Sequence, residues 1–458
     1  MNHDLIIVGG GAGGLGAARA ARWAGADVLL VNEGPIGGDC TFTGCVPSKT
    51  LLAAAAQDLE FGAAMARVGS TVERIAATET ADVLRAEGIG VREGRGRLAT
   101  HDTVVVDADR ITAPRIIVAT GSRPVVPAIP GLDEVDPDRV LTNESVFSLA
   151  DAPATLGIVG GGPIGCELAQ AFAWLGVEVT LFEGLPRLLS REEPEAGAAV
   201  ARALAAAGVD VRSGTMIDAV ETRPDGVAVV SGGAEVVVER LLLAVGRAPN
   251  SGGLGLEELG VELDPQGHVV TDDRLATDVR GVYAVGDVTG KLSFTHAADE
   301  MGRLAAGNAL RRGVRGRFRT SWIPWVTFTQ PEVARIGMTE AEASRHGGRV
   351  AELPLAEMDR ALTDGHTEGY IKLIAGPKRL TRRVAGGRMI GATIVAPRAG
   401  EMIHEIALAM RTNAFTGRLA QTVHAYPTWS YGIQKAAAQF FGEVEGRTAR
   451  PAASDESR

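Results

Sequence analysis

Asp4-Leu5-Ile6-Ile7-Val8-Gly9-Gly10-Gly11-Ala12-Gly13-Gly14 decides the fold of this chain. Leu5 to Val8 is an unbroken apolar run, the pattern of a parallel strand covered on both faces. It enters glycines at 9, 11 and 14, the G-x-G-x-x-G spacing. That spacing provides a tight turn, backbone N–H groups open to a pyrophosphate, and a helix packed closely on the strand. A second strand, Asp27-Val28-Leu29-Leu30-Val31, ends near Glu33, 24 positions after Gly9, where a carboxylate accepts hydrogen bonds from a ribose. The device recurs at Leu156-Gly157-Ile158-Val159 and Gly160-Gly161-Gly162-Pro163-Ile164-Gly165, with Val177 to Phe182 ending at Glu183, 23 positions after Gly160. One such fingerprint is weak evidence; two, each with strand, helix and terminal acid, point to two dinucleotide sites. Gly160, Gly162 and Gly165 are the expected phosphate-loop glycines of the second, as Gly9, Gly11 and Gly14 are of the first. Glu183 favours a free ribose 2′-hydroxyl, hence NADH, over a 2′-phosphate that it would repel; nearby Arg187 weighs towards NADPH.

Between the fingerprints lies Gly37-Gly38-Asp39-Cys40-Thr41-Phe42-Thr43-Gly44-Cys45-Val46-Pro47-Ser48-Lys49-Thr50. Pro47 suits the first turn of a helix, so Cys45 falls at a positive helix end that stabilises thiolate, with Lys49 one turn on. The pair reads as a redox-active dithiol. Zinc would need about four ligands, and the chain has one further cysteine, Cys166, with no histidine closely spaced to the pair, so no metal is expected. A static disulfide is the other reading. The chain enters a strand directly after Met1-Asn2-His3-Asp4, leaving no room for a secretory signal, so a reducing, cytoplasmic location is expected.

Length and composition bound the rest. The 458 residues allow two to four domains, and a formal charge of −10 without long basic runs argues against nucleic acid. No apolar run of about 18 residues marks a membrane span, so a soluble protein is expected. Ala119-Thr120-Gly121-Ser122, Ala244-Val245-Gly246-Arg247 and Tyr283-Ala284-Val285-Gly286-Asp287 each follow β-prone residues and read as strand ends, where ligands sit in α/β sheets. Asp287 is there to bond a cofactor hydroxyl or to stabilise a turn. From Trp325 to Gly337, Gly369 to Ile374 and Met389 to Val395 strands are expected, with a helix from Glu401 to Met410, an α+β unit. The polar stretch after about Glu443 reads as a frayed tail.

In this order, the dithiol run with Gly-Cys-Val-Pro-Ser-Lys, the two fingerprints, Ala119-Thr120-Gly121 and Val285-Gly286-Asp287 resemble the class I flavin-dependent pyridine nucleotide-disulfide oxidoreductases. These include dihydrolipoyl dehydrogenase, glutathione reductase and mercuric reductase. The resemblance covers residues 4 to 442. It implies an α/β fold with two Rossmann-like domains plus a C-terminal α+β dimerisation domain. The FAD domain would take 1–145 and 275–320, the NAD(P) domain 146–274, and the dimerisation domain 321–445, before a disordered tail at 446–458. It implies FAD on the first loop, with Lys49, Glu33, Ala119, Thr120, Gly121 and Asp287 beside it, and NADH or NADPH on the second, with Glu183 and Gly246. By the same match Cys45 is the charge-transfer thiolate, Cys40 the interchange thiol, and Lys49 pairs with Glu167. Cys166 reads as a small core residue. A homodimer with a shared active site is implied.

The pattern breaks at the C-terminus. Where the family carries His-x-His-Pro-Thr-x-x-Glu, this chain reads His424-Ala425-Tyr426-Pro427-Thr428-Trp429-Ser430-Tyr431. Tyr426 stands for the catalytic histidine and Tyr431 for its glutamate, so a phenol replaces an imidazole. Tyr426 either fills the histidine's space or acts through its hydroxyl; His424 matches the motif's non-catalytic histidine. Soluble transhydrogenases share Tyr-Pro-Thr but lack the second cysteine. Mercuric reductases resemble the chain at Asp359-Arg360-Ala361 and Thr367-Glu368-Gly369-Tyr370, yet need a C-terminal cysteine pair that is missing here. The expectation is an NAD(P)H:disulfide oxidoreductase acting on a small disulfide. The alternative is a diaphorase, oxidase or transhydrogenase-like enzyme passing electrons to quinones, metal ions or another nucleotide.

Overall fold

The computed structural model describes residues 3–311, 313, 315–377 and 386–454, which fall into two compact units. The first holds residues 1–128, 135–153 and 240–319. Its five-stranded parallel sheet runs in the order Val282–Ala284, Ile116–Val118, Leu5–Val8, Val28–Asn32, Gly90–Glu93. Every residue of Leu5–Val8 and Val28–Asn32 is buried, as continuous apolar runs require when both faces are covered.

The helix Ala12–Trp23 crosses the helix Thr295–Leu310 through small residues: a Cβ on Gly302 would stand 2.0 Å from the Gly13 carbonyl oxygen. Leu254, Leu256, Val261 and Val269 join Ile6, Val8 and Val31 in this unit's core. Residues 240–274, expected with the second nucleotide domain, are therefore packed with the first. The physical reason is that core, together with the Leu98 N–H donating to the Leu254 carbonyl at 2.8 Å.

The second unit takes residues 129–134, 154–239 and 320–458. Thr155–Val159, Glu178–Glu183 and Asp210–Ser213 form parallel ladders, with an antiparallel sheet of Ala219–Arg223, Gly226–Ser231 and Ala234–Val238. The C-terminal sheet has six strands, ordered Trp325–Thr327, Glu332–Gly337, Arg388–Ala396, Tyr370–Gly376, Arg349–Pro354, Arg450–Pro451. The stretch expected as strand from Trp325 to Gly337 is interrupted between Thr327 and Glu332, where the Gln330–Pro331 bond is cis. Ile371 and Leu373 pack with Ile403 and Ile406 of the helix Ala399–Arg411 and with Ile433 of the helix Tyr431–Ala438.

Alternation sends the Lys372 side chain to the opposite face, where it is fully buried. Its ammonium lies 3.2 Å from Glu340, 3.4 Å from Glu195, 3.7 Å from Glu193 and 3.9 Å from Glu352. This cluster corrects the expectation for the tail. Arg450 pairs with Glu340, the strand Arg450–Pro451 adds to Arg349–Pro354, and the Ala453 N–H donates to Glu340 at 3.1 Å. Residues 446–454 are tied down by charge and backbone pairing, not by apolar periodicity; 455–458 lie outside the described residues.

Candidate functional site

The two glycine loops are built alike. Gly9 and Gly160 have φ of 109° and 111°, a region favouring glycine. A Cβ on Gly14 would stand 1.8 Å from the Gly9 carbonyl oxygen, and one on Gly165 1.9 Å from that of Gly160. Both helices therefore press on their own turns. The middle glycines differ: a Cβ on Gly11 would meet the Gly38 Cα at 4.0 Å, and one on Gly162 would meet nothing within 4 Å. Each loop thus keeps an open face at the first turn of its helix, a cradle that a side chain would fill. This geometry fits the pyrophosphate of a dinucleotide.

At the end of the second strand of each unit, a side chain holds the loop. Glu183 accepts from the Gly161 N–H at 2.6 Å and from the Leu185 N–H at 2.7 Å. In the first unit this place belongs to Asn32, which is buried and accepts from the Gly10 N–H at 2.7 Å, while Glu33 is exposed one position further on. Asn32 and Glu33 point to opposite sides because successive strand side chains alternate, so Asn32 holds the loop and Glu33 is left to solvent. Arg187 donates to its own loop, to the Ser190 carbonyl at 2.9 Å.

Gly9 also abuts the next strand end, since a Cβ there would lie 2.3 Å from the Ala119 carbonyl oxygen. Thr120 and Asn250 are bonded to each other: the Thr120 hydroxyl donates to the Asn250 carbonyl at 2.7 Å, and the Asn250 N–H donates to Gly121, whose φ is 71°. Gly246, with φ 142°, lies in the same unit just before Arg247.

Gly37 and Gly38, both at positive φ, turn the chain from the phosphate loop into the helix Gly38–Phe42, and the Gly37 N–H donates to the Gly10 carbonyl at 2.9 Å. Gly44 closes the dithiol turn, for a Cβ there would lie 2.7 Å from the Asp39 carbonyl oxygen and 3.2 Å from the Cys40 Cα. Cys45 begins the helix Cys45–Ala55, where the unpaired N–H groups of the first turn favour negative charge. The half-buried Cys40 lies five positions before the exposed Cys45, whose sulfur is 3.4 Å from the Thr295 hydroxyl. Cys45, reinforced by burial, pushes the Cys40 thiol well above the ordinary thiol range. The helix start at Cys45 favours negative charge on that sulfur. Lys49 is half-buried one turn along the same helix.

A group of polar residues holds this turn, and the sequence reading assigned it no such role. Arg247 pairs with Asp39, donates to the Ser122 hydroxyl at 2.7 Å and carbonyl at 2.9 Å, and reaches Asn143 at 3.3 Å. Asn143 donates to the Thr43 carbonyl at 3.2 Å. The Ser122 hydroxyl donates to Asp287 at 2.6 Å. Burial pushes the Asp287 carboxyl up, against the pull of Ser122 and Arg247. Asp39, Ser122, Asn143 and Arg247 lie far apart in sequence, so only the presence of polar residues beside the glycine-marked strand ends signalled them.

Beside the dithiol opens a cleft of about 640 Å³, lined by Cys40, Cys45, Thr295, His296, Arg19 and Arg303 among others. In the second unit Cys166 is fully buried and donates to the Gly161 carbonyl at 3.4 Å; burial raises its thiol.

In the second unit, Glu167 is buried on the helix Pro163–Trp174 and accepts from the Phe328 N–H at 2.9 Å. Tyr426 fills no interior space: it is 66% exposed, its hydroxyl donates to Asp359 at 2.9 Å, and its ring meets Tyr431 edge-on at 5.9 Å. The bond to Asp359 raises the phenol further above its ordinary range. His424 has the Thr422 carbonyl at 2.9 Å from Nδ1 and the Glu405 carboxylate at 2.9 Å from Nε2. Both neighbours are acceptors, so the ring is satisfied only with both nitrogens protonated. Burial lowers its pKa, but the Glu405 and Thr422 bonds prevail and raise it. His424 is therefore engaged at both ring nitrogens, and its bonds favour the protonated ring. Among the described residues no helix is long and apolar enough to cross a membrane, and no cluster of three His, Cys, Asp or Glu side chains could hold a metal ion.

Comparison with known proteins agrees with this arrangement. Residues 3–302 match the family described as pyridine nucleotide-disulphide oxidoreductase, and residues 323–437 match its dimerisation domain. The chain is 34% identical to a mercuric reductase of Bacillus cereus, over 97% of this chain and 72% of that protein. It is also 34% identical to a dihydrolipoyl dehydrogenase of Thermus scotoductus, over 95% and 96%. Among solved structures it resembles the HOCl-induced flavoprotein disulfide reductase RclA of Escherichia coli, with a TM-score of 0.86, 29% identity, and 95% and 99% of the two chains covered. LpdA of Mycobacterium tuberculosis gives the same TM-score and identity over 96% and 100%.

Proposed function

Because the chain belongs to the pyridine nucleotide-disulphide oxidoreductase family, we propose that it is an FAD-dependent NAD(P)H:disulfide oxidoreductase working through Cys40 and Cys45 on a small disulfide. Enzymes of this family use FAD and NAD(P)H. The single observation that carries the proposal is the Cys40 and Cys45 pair on the wall of one open cleft, one glycine turn from a dinucleotide loop. FAD, held on the loop of Gly9, Gly11 and Gly14 with Lys49, Ala119, Thr120, Gly121 and Asp287 alongside, supplies the path by which NAD(P)H electrons reach the dithiol. The second loop, Gly160 to Gly165, would hold the nicotinamide nucleotide. Glu183 at its strand end, with Arg187 bonded to its own loop, supports NADH.

The chain's own residues set the division of labour. The helix start favours charge on Cys45, while Cys40, once it has given up its proton, is the thiolate that attacks the acceptor. Asp39, Arg247 and Asn143 keep the turn in register. Lys49, one turn along the helix from Cys45, would stand beside the flavin. The dimerisation domain supports a homodimer, in which Tyr426 of each copy serves the other's cleft; a cytoplasmic setting suits the free thiols.

The replacement of histidine and glutamate by Tyr426 and Tyr431 favours a second reading, electron transfer to quinones, metal ions or another nucleotide without the thiols. Cys40→Ser separates the two. On the proposed reading NADH-dependent disulfide reduction falls at least about 10³-fold and quinone reduction stays within about twofold. Equal survival of both activities would transfer the function to the second reading.

A further inference from the structure

We propose that the Thr295 hydroxyl donates its hydrogen to the Cys45 sulfur in the two-electron-reduced enzyme and so holds that sulfur as the thiolate. The inference rests on the disulfide-reductase reading above. It starts from a contact between residues 250 positions apart, Thr295 Oγ1 to Cys45 Sγ at 3.4 Å, on the wall of the cleft that both residues line. Each partner is the first residue of a helix, Cys45 of Cys45–Ala55 and Thr295 of Thr295–Leu310. Two helix starts therefore meet at one sulfur, and the first-turn N–H groups of both favour negative charge there.

A helix start attracts any anion, whereas the hydroxyl supplies a directed bond. A deprotonated Cys45 is an acceptor alone, and a threonine hydroxyl has one hydrogen to give. Such a bond is stronger to a charged acceptor than to a neutral one, so it favours the thiolate. The donor sits on a fixed element. Ala297, Ala298 and Met301 of its helix are buried, and a Cβ on Gly13 would stand 3.3 Å from the Ala298 carbonyl oxygen, so the first turn cannot move off the sulfur without opening the packing on Ala12–Trp23. Thr295 itself is half-buried, which limits the competition of water for its hydroxyl. Its influence has the same direction on the other sulfur: Cys45 and burial push the Cys40 thiol up, and Thr295 pulls it down.

The step balances. The Cys40–Cys45 disulfide takes up the two electrons and one proton of a hydride that originates on NAD(P)H; the S–S bond breaks, leaving one thiol and one thiolate. The nucleotide is oxidised and the dithiol reduced. With the Thr295 hydroxyl donating to Cys45, the proton is left to Cys40 and the charge to Cys45.

The test follows the long-wavelength charge-transfer band of the two-electron-reduced holoenzyme as it is acidified, in wild type, Thr295→Val and Thr295→Ser. Valine keeps the branched shape without the hydroxyl, and serine keeps the hydroxyl without the methyl. The charged and titratable groups around the pair, Arg19, Cys40, Glu79, His296, Asp299 and Arg303 of the cleft and Lys49 of the helix after Cys45, are the same in all three, so a shift between them reports the hydroxyl. Loss of one hydrogen bond to a charged sulfur should raise the pH at which half the band is lost by about one to two units in Thr295→Val. Thr295→Ser should stay with wild type. An unmoved midpoint in Thr295→Val, or an equal shift in Thr295→Ser, would overturn the assignment. A second reading needs no band: the pH–rate profile for alkylation of Cys45 by iodoacetamide in Cys40→Ser holoenzyme should move up by the same amount when Thr295→Val is added, and an unmoved profile would contradict the proposal. Absence of the band in wild type would sink the reductase reading itself, whereas a wild-type band beside an unresponsive Thr295→Val removes only this role.

Discussion

Replacing Gly14 by alanine tests how tightly the first nucleotide loop is packed. The new Cβ would stand 1.8 Å from the Gly9 carbonyl oxygen, whereas real Cβ contacts essentially never fall below 3.0 Å. The two backbones must therefore separate by about 1.2 Å, roughly the displacement that overpacking converts into 1–3 kcal/mol. No flexible side chain can absorb it, because the opposing atom is backbone in a turn that also contacts the Ala119 carbonyl. If the whole cost falls on cofactor binding, FAD affinity drops by about five- to 150-fold. Gly11→Ala is the matched control. Its Cβ meets only the Gly38 Cα at 4.0 Å, so the folded chain accommodates it and the loss is confined to the ligand's own space. The assay is FAD titration of flavin-stripped protein with visible absorbance and thermal unfolding measured in parallel. Gly14→Ala should lower both FAD affinity and the melting temperature of the stripped protein; Gly11→Ala should lower affinity alone. Wild-type FAD affinity and melting in Gly14→Ala would refute the packing argument. A Gly11→Ala protein that binds FAD normally would refute the assignment of the open face.

Lys372→Met should destabilise the second unit by about 3–5 kcal/mol, since buried Glu193 and Glu340 would lose their central counter-charge; unchanged thermal unfolding would contradict that view of the cluster. His424 has a folded pKa raised above its unfolded value, so its stabilisation is complete below about pH 6.5 and is lost as pH rises through the folded pKa. The melting difference between wild type and His424→Gln should accordingly shrink with rising pH; a difference that grows would show the sign to be wrong. Truncation after Gly446 should lower the melting temperature by removing Arg450 from Glu340, and an unaltered melting curve would restore the view of a frayed tail.

Both fingerprints and the dithiol turn were legible because their constraints are local: positive φ at Gly9 and Gly160, close approach at Gly14 and Gly165, and a helix starting at Cys45. Asn32 was missed because an offset rule for the acid at the strand end tolerates one residue, and one residue reverses the side chain's direction. The docked tail escaped because its anchors are an ion pair and two strand residues, neither of which leaves hydrophobic periodicity. The contact of Thr295 with Cys45 was invisible for a different reason: it joins residues 250 positions apart, a proximity that exists only once the first sheet has formed. The bond of Tyr426 to Asp359 across 67 positions was not readable from the motif.

The central claim is that Cys40 and Cys45 stand in the electron path beside the flavin. Anaerobic titration of the purified holoprotein with NADH, and separately NADPH, tests it directly by following the visible spectrum. The account predicts a long-wavelength charge-transfer band after the first equivalent per flavin, abolished by Cys45→Ser and reached at lower NADH than NADPH. Bleaching of the flavin without that band would place the thiols outside the path and contradict the account.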